Sequence, residues 1–332
     1  MAPSETWTAA TPETAPQATG RELFRREVLA GLRQSPKRIP SKFFYDRRGS
    51  ELFDRICTLP EYYPTRTELA ILARHGPALG ARLGPRAEII ELGAGSTLKI
   101  RRLLAHLEHP AAYVPVDISA EYLAAQAREL QADYPALPVR PVAADFMASF
   151  TIPDPADHLL HSVAFFPGST LGNLSRAERH AFLARVARHV AGRAPRPGAL
   201  LIGLDLHKER AVLERAYNDR AGVTAAFNLN LLLRLRRELG ADLDPTAFAH
   251  HAFYNELERR IEMHLVSRRR QTLYIGSQAF PLRRGETIHT ENSYKFDVTE
   301  FDAQARTHGF VPRATWTDQR RWFALHYLEL NS

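Results

Sequence analysis

Between Ala87 and Asp205 short apolar runs alternate with stretches of helical periodicity, and the runs end at glycine or aspartate. Ile89–Leu92 stops at Gly93, Tyr113–Val116 at Asp117 and Val139–Ala144 at Asp145. Ser162–Phe166 is broken by Pro167-Gly168, and Ala199–Leu204 leads into Asp205. The runs have the length and composition of buried strands. Between the first two, Ile100, Leu103, Leu104 and Leu107 repeat as i, i+3, i+4, i+7, the apolar stripe of a helix. Ser119 is placed to cap a helix through Leu123 and Leu130. Ser175 with Glu178 three residues on predicts a capping box for a helix through Phe182 and Val186. Strands separated by helices predict an α/β fold, a mostly parallel, doubly wound sheet covered on both faces. Such sheets bind ligands outside the carboxyl ends of their strands. The residues to inspect are therefore Gly93-Ala94-Gly95, Asp117, Asp145-Phe146, Gly168 to Asn173, and Asp205.

The 332-residue chain, 45% hydrophobic, has material for one large domain or two modest ones. From about residue 206 to 294 the strand–helix rhythm is lost. A helical part, Ala211 to Leu239, precedes an extended segment around Ile261–Val266, which reads as an inserted α+β substrate-binding subdomain. Ala314 to Leu330 alternates aromatic and polar residues and is expected to return as strands to the main sheet. Residues 1–20, rich in Ala, Thr and Pro, read as a flexible tail. The expected division is a main domain of 21–66, 87–204 and 295–332, and a subdomain of 67–86 with 205–294.

Charge and composition narrow the function. The net charge is +7, but the basic residues are scattered as pairs, and only Arg268-Arg269-Arg270 makes a triplet. Nucleic-acid binders concentrate such charge, so a solvated basic surface is the reading and no nucleic-acid partner is expected. The single cysteine, Cys57, excludes an intrachain disulfide or a Cys-based zinc site and reads as a core thiol. His106 with His109, and His158 with His161, lack a third ligand nearby in sequence, so no metal is expected. No apolar run has the length of a membrane span or of a signal-peptide core. A cytoplasmic monomer without a membrane partner is expected.

Gly93 and Gly95 allow a tight turn and close approach of backbone to a ligand. Asp117 ends the second strand about 20 residues on, where a carboxylate accepts both ribose hydroxyl protons. A pyrophosphate fingerprint needs a third glycine where Leu98 stands. A cofactor without pyrophosphate does not, and Glu91-x-Gly93-x-Gly95 followed by Asp117 resembles the signature of class I methyltransferases, which use S-adenosylmethionine. Asp145 is placed to accept the adenine amino group and Phe146 to face the ring. Taken alone, the glycines fit a plain βα turn as well.

Polar and aromatic runs outside this frame carry a second resemblance. They are Ser41 to Asp46, Leu59 to Arg66, Gly168 to Asn173, Ala216 to Asp219 with Ala221 to Thr224, Arg260 to Met263, and Thr290 to Phe296. The long, unusual runs among and beside them are Tyr45-Asp46, Pro60 to Arg66 and Gly222 to Asn228. From about Phe24 to the final strands the chain resembles the bacterial histidine Nα-methyltransferases of ergothioneine biosynthesis. The resemblance implies that Gly93, Lys99, Asp117, Asp145 and Phe146 hold S-adenosylmethionine. It implies that Tyr62, Asn173 and Tyr217 hold the carboxylate and amine of L-histidine. Glu291 and Ser293 would bind the imidazole with Met263 packing nearby, and Tyr45 would sit close to the reacting amine. The implied product is the trimethylated betaine hercynine.

The chemistry of these residue types agrees. Tyr hydroxyls and an Asn amide bind a carboxylate without adding positive charge beside a sulfonium. Methyl transfer is an in-line displacement governed by positioning. An α-amino pKa of about 8 leaves neutral amine without a dedicated base. A quaternary product is favoured over the aromatic faces of Tyr45, Tyr62 and Tyr217. Neutral imidazole has one donor and one acceptor, matched by a carboxylate and a hydroxyl. The competing readings are a methyltransferase for another amino acid, such as tryptophan or tyrosine, an RNA-binding or RNA-modifying protein, and a silent cofactor-binding scaffold.

Overall fold

The computed structural model describes residues 20–331. The tail expected over 1–20 lies outside them, apart from Gly20, which opens the first helix. In chain order the elements are α1 (Gly20–Leu32), β1 (Lys37–Arg38), α2 (Arg47–Thr58), α3 (Tyr63–Leu83), β2 (Ala87–Leu92), α4 (Leu98–Leu104), β3 (Ala112–Asp117) and α5 (Ala120–Asp133). There follow β4 (Val142–Ala143), β5 (His161–Phe166), α6 (Arg176–Val190), β6 (Ala199–Asp205), α7 (Arg210–Tyr217) and α8 (Val223–Leu239). The remainder is β7 (Phe248–Asn255), β8 (Arg260–Ser267), β9 (Gln271–Ile275), β10 (Gln278–Leu282), β11 (Thr287–Tyr294), α9 (Val298–Arg306), β12 (Phe310–Thr317) and β13 (Phe323–Leu330).

The main sheet has the order β12-β13-β6-β5-β2-β3-β4. Its strands β6, β5, β2, β3 and β4 are parallel, while β13 runs antiparallel to both β6 and β12. β2, β5 and β6 are buried along their whole length, as a sheet covered on both faces requires. Successive residues feed opposite cores. Ile90, Phe166 and Leu200 pack with Phe182 and Val186 of α6 and Phe301 of α9. Ile89, Val163 and Leu201 pack with Ile71 and Leu79 of α3 and Leu103 of α4. The order reverses direction beside β2, which places the ligand-binding crevice at the carboxyl ends of β2 and its neighbours.

A second sheet, β1-β11-β8-β7, and the β9–β10 hairpin are built mostly from the segment between β6 and α9, where the sequence pattern predicted an insertion. Ile261, Met263 and Leu265 of β8 point into its core, against Phe24 and Val28 of α1, Leu52 and Ile56 of α2, and Leu231 and Leu235 of α8.

Four expectations are corrected. The packing puts α1 and α2 with the second core and α3 with the main sheet, opposite to the allotment of 21–66 and 67–86. An amphipathic stripe reports that a helix is buried but not which sheet it covers. The third strand shrinks to β4 plus a lone bridge from Val139 to Tyr113, because Pro141 has no N–H for the ladder. Ser119 stands at the N-cap of α5 but makes no side-chain cap bond; its hydroxyl donates to the Tyr45 carbonyl. The helical segment 211–239 is two helices. Asp219 accepts from the N–H groups of Val223 and Thr224 and starts α8 afresh. The capping box of Ser175 and Glu178 is present.

Gly203, mid-strand in β6, is held to glycine by its neighbours. A Cβ there would stand 2.5 Å from Glu68 Oε1 and 3.0 Å from the Phe323 ring. Gly203→Ala is expected to cost about 1–3 kcal/mol, the usual price of overpacking; a urea midpoint equal to that of the wild type would refute the tight fit.

Candidate active site

Two adjoining cavities open at the carboxyl ends of the main strands. The larger, about 880 Å³, is lined by Gly93, Lys99, Asp117, Asp145 and Phe146. The smaller, about 50 Å³, is lined by Tyr62, Tyr217, Met263, Glu291 and Ser293. Tyr45, Phe53, Gly168, Thr170, Asn173 and Glu291 border both, so they form the neck between them. Every site residue expected from the sequence therefore lines one continuous space.

In the larger cavity Gly93 follows β2 with φ +73, a conformation that favours glycine, and its N–H donates to the Val116 carbonyl. Asp117 ends β3; burial pushes its carboxyl up, against hydrogen bonds from Ser119 and the Ile118 backbone. Asp145 accepts from the N–H of Met147 and pairs with Lys42 Nζ at 3.1 Å. Phe146 lies edge-on to Phe166 and Phe182. Lys99 pairs at 2.7 Å with Glu68, whose side chain is fully buried. Both Glu68 oxygens also accept the Gly168 N–H, at 3.0 and 2.9 Å. Glu68 thus ties α3, α4 and the loop that carries Asn173.

The smaller cavity lies where the second sheet meets the main one. Tyr62 stands at the start of α3 and Tyr217 at the end of α7, their rings 6.2 Å apart and edge-on. Tyr45 contacts Phe53 and Phe227 edge-on at 5.7 and 5.8 Å. Burial pushes the Tyr45 phenol well above its ordinary value, with the Glu291 charge adding to the effect, so it keeps its proton.

A β-bulge aims Glu291. In the β11–β8 pairing His289 faces His264, but Glu291, not Thr290, faces Met263. The extra residue re-aims the strand. Thr290 turns inward to bond Asn228 and the Met263 carbonyl, and Glu291 and Ser293 both border the cavity. Burial pushes the Glu291 carboxyl up to about 8, although Lys295 pulls it down.

Beneath this end lies a buried ion cluster. Asp205 accepts from Lys295 Nζ at 2.8 Å, from Lys208 Nζ, and from the Tyr63 hydroxyl at 2.7 Å. Burial opposes its charge, but the two lysines hold its carboxyl below the ordinary value. Burial brings Lys208 down to about 8.

A family model described as histidine-specific, SAM-dependent methyltransferase matches residues 24–330. The chain belongs to this methyltransferase family. It is 40% identical over 314 residues to the histidine N-alpha-methyltransferase of Mycobacterium tuberculosis, covering 92% of this chain and 94% of that one. It is 28% identical to the 4-dimethylallyltryptophan N-methyltransferase of Claviceps purpurea, covering 92% and 94%. It is 27% identical to ergothioneine biosynthesis protein 1 of Neurospora crassa, covering 89% of this chain and 33% of that longer protein. The class I methyltransferase fold follows, with the sheet described above. No helix among the described residues is long and apolar enough to cross a membrane.

Several residues lining or supporting this methyltransferase's two cavities were missed in the sequence. Glu68 reads as an ordinary helical acid, and Lys295 carries no local signal. Phe53 and Phe227 read as core. A cross-strand group of Glu262, His264 and His289, with potential ligand atoms within 4.8 Å of one another, also escaped notice. Its carboxylate is already engaged by Arg260, Asn255 and His264.

The raised Glu291 carboxyl makes a stability prediction. A carboxyl raised on folding is tolerated while protonated, and its burial costs stability as pH rises from the unfolded value towards about 8. The groups facing it are Lys295, Tyr45, Tyr62 and Tyr217. Glu291→Gln is therefore expected to melt several degrees higher than the wild type at pH 9, with the gap nearly closed at pH 5. Calorimetric melts at the two pH values check this, and a pH-independent gap would contradict the placement.

Proposed function

We propose that this chain transfers methyl groups from S-adenosylmethionine to the α-amino group of L-histidine, up to the trimethylated betaine hercynine, in ergothioneine biosynthesis. The observation that carries this reading is Glu291 and Ser293 together in the lining of a small cavity that also holds Tyr45, Phe53, Tyr62, Tyr217 and Phe227, in a chain of this family. A carboxylate and a hydroxyl there suit a ring with two polar edges and leave an indole or phenol half-served.

The donor set of the larger cavity fits S-adenosylmethionine. Asp117 suits ribose hydroxyls, Asp145 and Phe146 suit adenine, and the Gly93 turn leaves backbone bare where a side chain would intrude. Lys99, neutralised by Glu68, adds a hydrogen-bond donor without free positive charge beside the sulfonium. The bound cofactor supplies the electrophilic methyl group.

The chain's own residues bind and orient the acceptor. Tyr62, Asn173 and Tyr217 hold the α-carboxylate and amine, while Met263 packs on the ring. The side chain would lie in the smaller cavity beside Met263 and Ser293, with the amine towards Tyr45 and the larger cavity. Tyr45 borders the neck as a neutral phenol, so it accepts from or donates to the amine but does not deprotonate it as phenolate. The amine loses its proton to water before each transfer, which its ordinary pKa permits. The aromatic rings of Tyr45, Tyr62 and Tyr217 accommodate the growing cation.

The test is mass spectrometry of the protein incubated with S-adenosylmethionine and the twenty free amino acids. Histidine is expected to gain up to three methyl groups while the others stay unchanged; methylation of a different amino acid would overturn the imidazole assignment. Glu291→Ala is expected to lower kcat/KM for histidine by about 10- to 100-fold, the scale of a lost hydrogen bond to a charged group. Unchanged turnover in that variant would sink the role of Glu291.

A further inference from the structure

The hydrogen bonds behind Ser293 have a direction. Lys295, whose side chain is completely buried, donates to Ser293 Oγ at 2.7 Å and to Asp205 Oδ2 at 2.8 Å. An ammonium has three donors and no acceptor, so Ser293 can only accept from it. The Tyr217 hydroxyl also donates to Ser293 Oγ, at 2.7 Å. Both lone pairs of the serine oxygen are then filled, and its proton remains for the cavity that Ser293 lines. If the two hydroxyls exchanged roles, Ser293 would regain a free lone pair, so the bond from Tyr217 is as much a part of the lock as the one from Lys295.

Lys295 cannot turn away cheaply. Asp205 is buried and fixed by Tyr63 and Lys208, and its own N–H donates to Ser169 Oγ at 2.9 Å. The lysine keeps its charge, because Asp205 outweighs the burial that would lower it. Burial raises the Glu291 carboxyl although Lys295 pulls it down, and in either protonation state a Glu291 oxygen can still accept a hydrogen bond. One end of the pocket therefore presents a donor at Ser293 and an acceptor at Glu291.

We propose that Lys295, anchored by Asp205, is a specificity-determining positioning residue. By locking Ser293 as a donor, it selects a neutral side-chain ring with a lone-pair nitrogen towards Ser293 and an N–H towards Glu291. This rests on the histidine reading above and goes beyond it. An imidazolium, with two N–H groups, would set one of them against the serine proton, and a pyrrole would leave that proton unpaired in a buried site. An unpaired buried donor is costly, so the lock discriminates between rings of the same shape.

The test uses ¹⁵N-labelled histidine bound to the full-length protein with S-adenosylhomocysteine, at a pH near 6, where free imidazole is about three quarters protonated. NMR is expected to show one pyrrole-like and one pyridine-like nitrogen, a single neutral tautomer. Two protonated nitrogens, or a mixture of tautomers, would overturn the lock. No bound histidine at all would overturn the histidine reading itself.

A second measurement concerns Lys295. The ratio of kcat/KM for histidine to that for each pyrrolylalanine isomer, which keeps one ring N–H and has carbon in place of the other nitrogen, is expected to be large in the wild type. For the better isomer the ratio should fall about tenfold in both Lys295→Met and Ser293→Ala, and no further in the double variant. Equal losses for both substrates would mean that Lys295 is merely structural. If Lys295→Met does not fold, the NMR result on the wild type and the Ser293→Ala ratio still decide.

Discussion

The arrangement turns on one buried carboxylate, Asp205 at the carboxyl end of β6. A charge in that position is unfavourable unless every lone pair is engaged. Two of its partners come from distant parts of the chain, Tyr63 at the head of α3 and Lys295 just past β11, and the third, Lys208, stands just beyond β6. The backbone repeats the joint, since the Asp205 carbonyl accepts the Phe296 N–H and the Leu206 N–H reaches the Trp322 carbonyl. The strand that carries Glu291 and Ser293 is therefore bolted to the central strands of the other core. Removing Lys295 would leave Asp205 with Lys208, whose own charge burial disfavours, and the two halves of the site would lose their common reference.

Glu68 makes the matching joint on the other side. Its carboxylate lies against Gly203 of β6, neutralises Lys99 and holds the loop after β5 by the Gly168 N–H. That loop turns through two residues of positive φ, Gly168 and Ser169, before it delivers Asn173 to the neck between the cavities. Ser169 meets the first joint by accepting from the Asp205 N–H. A displacement that requires in-line geometry gains most from such rigidity, because misplacement by about 1 Å can cost two orders of magnitude in rate.

What the sequence disclosed follows the range of the interactions. Buried strands announce themselves by apolar runs, and the residue that ends each run must lie at the sheet's carboxyl edge, so Gly93, Asp117 and Asp145 were legible from spacing alone. The tyrosines and Glu291 were legible only as members of unusual runs shared with a family, because nothing local distinguishes a pocket tyrosine from a packed one. Glu68 and Lys295 were illegible because the bonds that tie them to the main sheet, to Gly168 and to Asp205, span 100 and 90 residues of chain. The bulge at Thr290 was hidden for a related reason: alternation along β11 predicts a face for each residue, and the inserted residue shifts that face halfway. The allotment of α1 and α2 failed because their apolar stripes fit either sheet.

On the reading proposed above, substrate recognition would have two parts. The main chain of an amino acid would be met by Tyr62 just before α3, Tyr217 of α7 and the loop after β5. Its side chain would be met by β8 and β11. A relative that covers the same length of chain is named for methylating 4-dimethylallyltryptophan, a larger and less polar amino acid. Such divergence needs no change at Gly93, Asp117, Asp145 or Phe146 of the larger cavity. It needs only different residues at inward positions of two antiparallel strands, where side chains alternate and each can be exchanged without moving its neighbour. The exception is Ser293, which is wired through Lys295 to Asp205 and so to the joint between the cores. Changing the polarity read at that position means rebuilding a buried charge cluster. That constraint makes Met263 and Glu291 the freer positions of the pocket and Ser293 the conservative one.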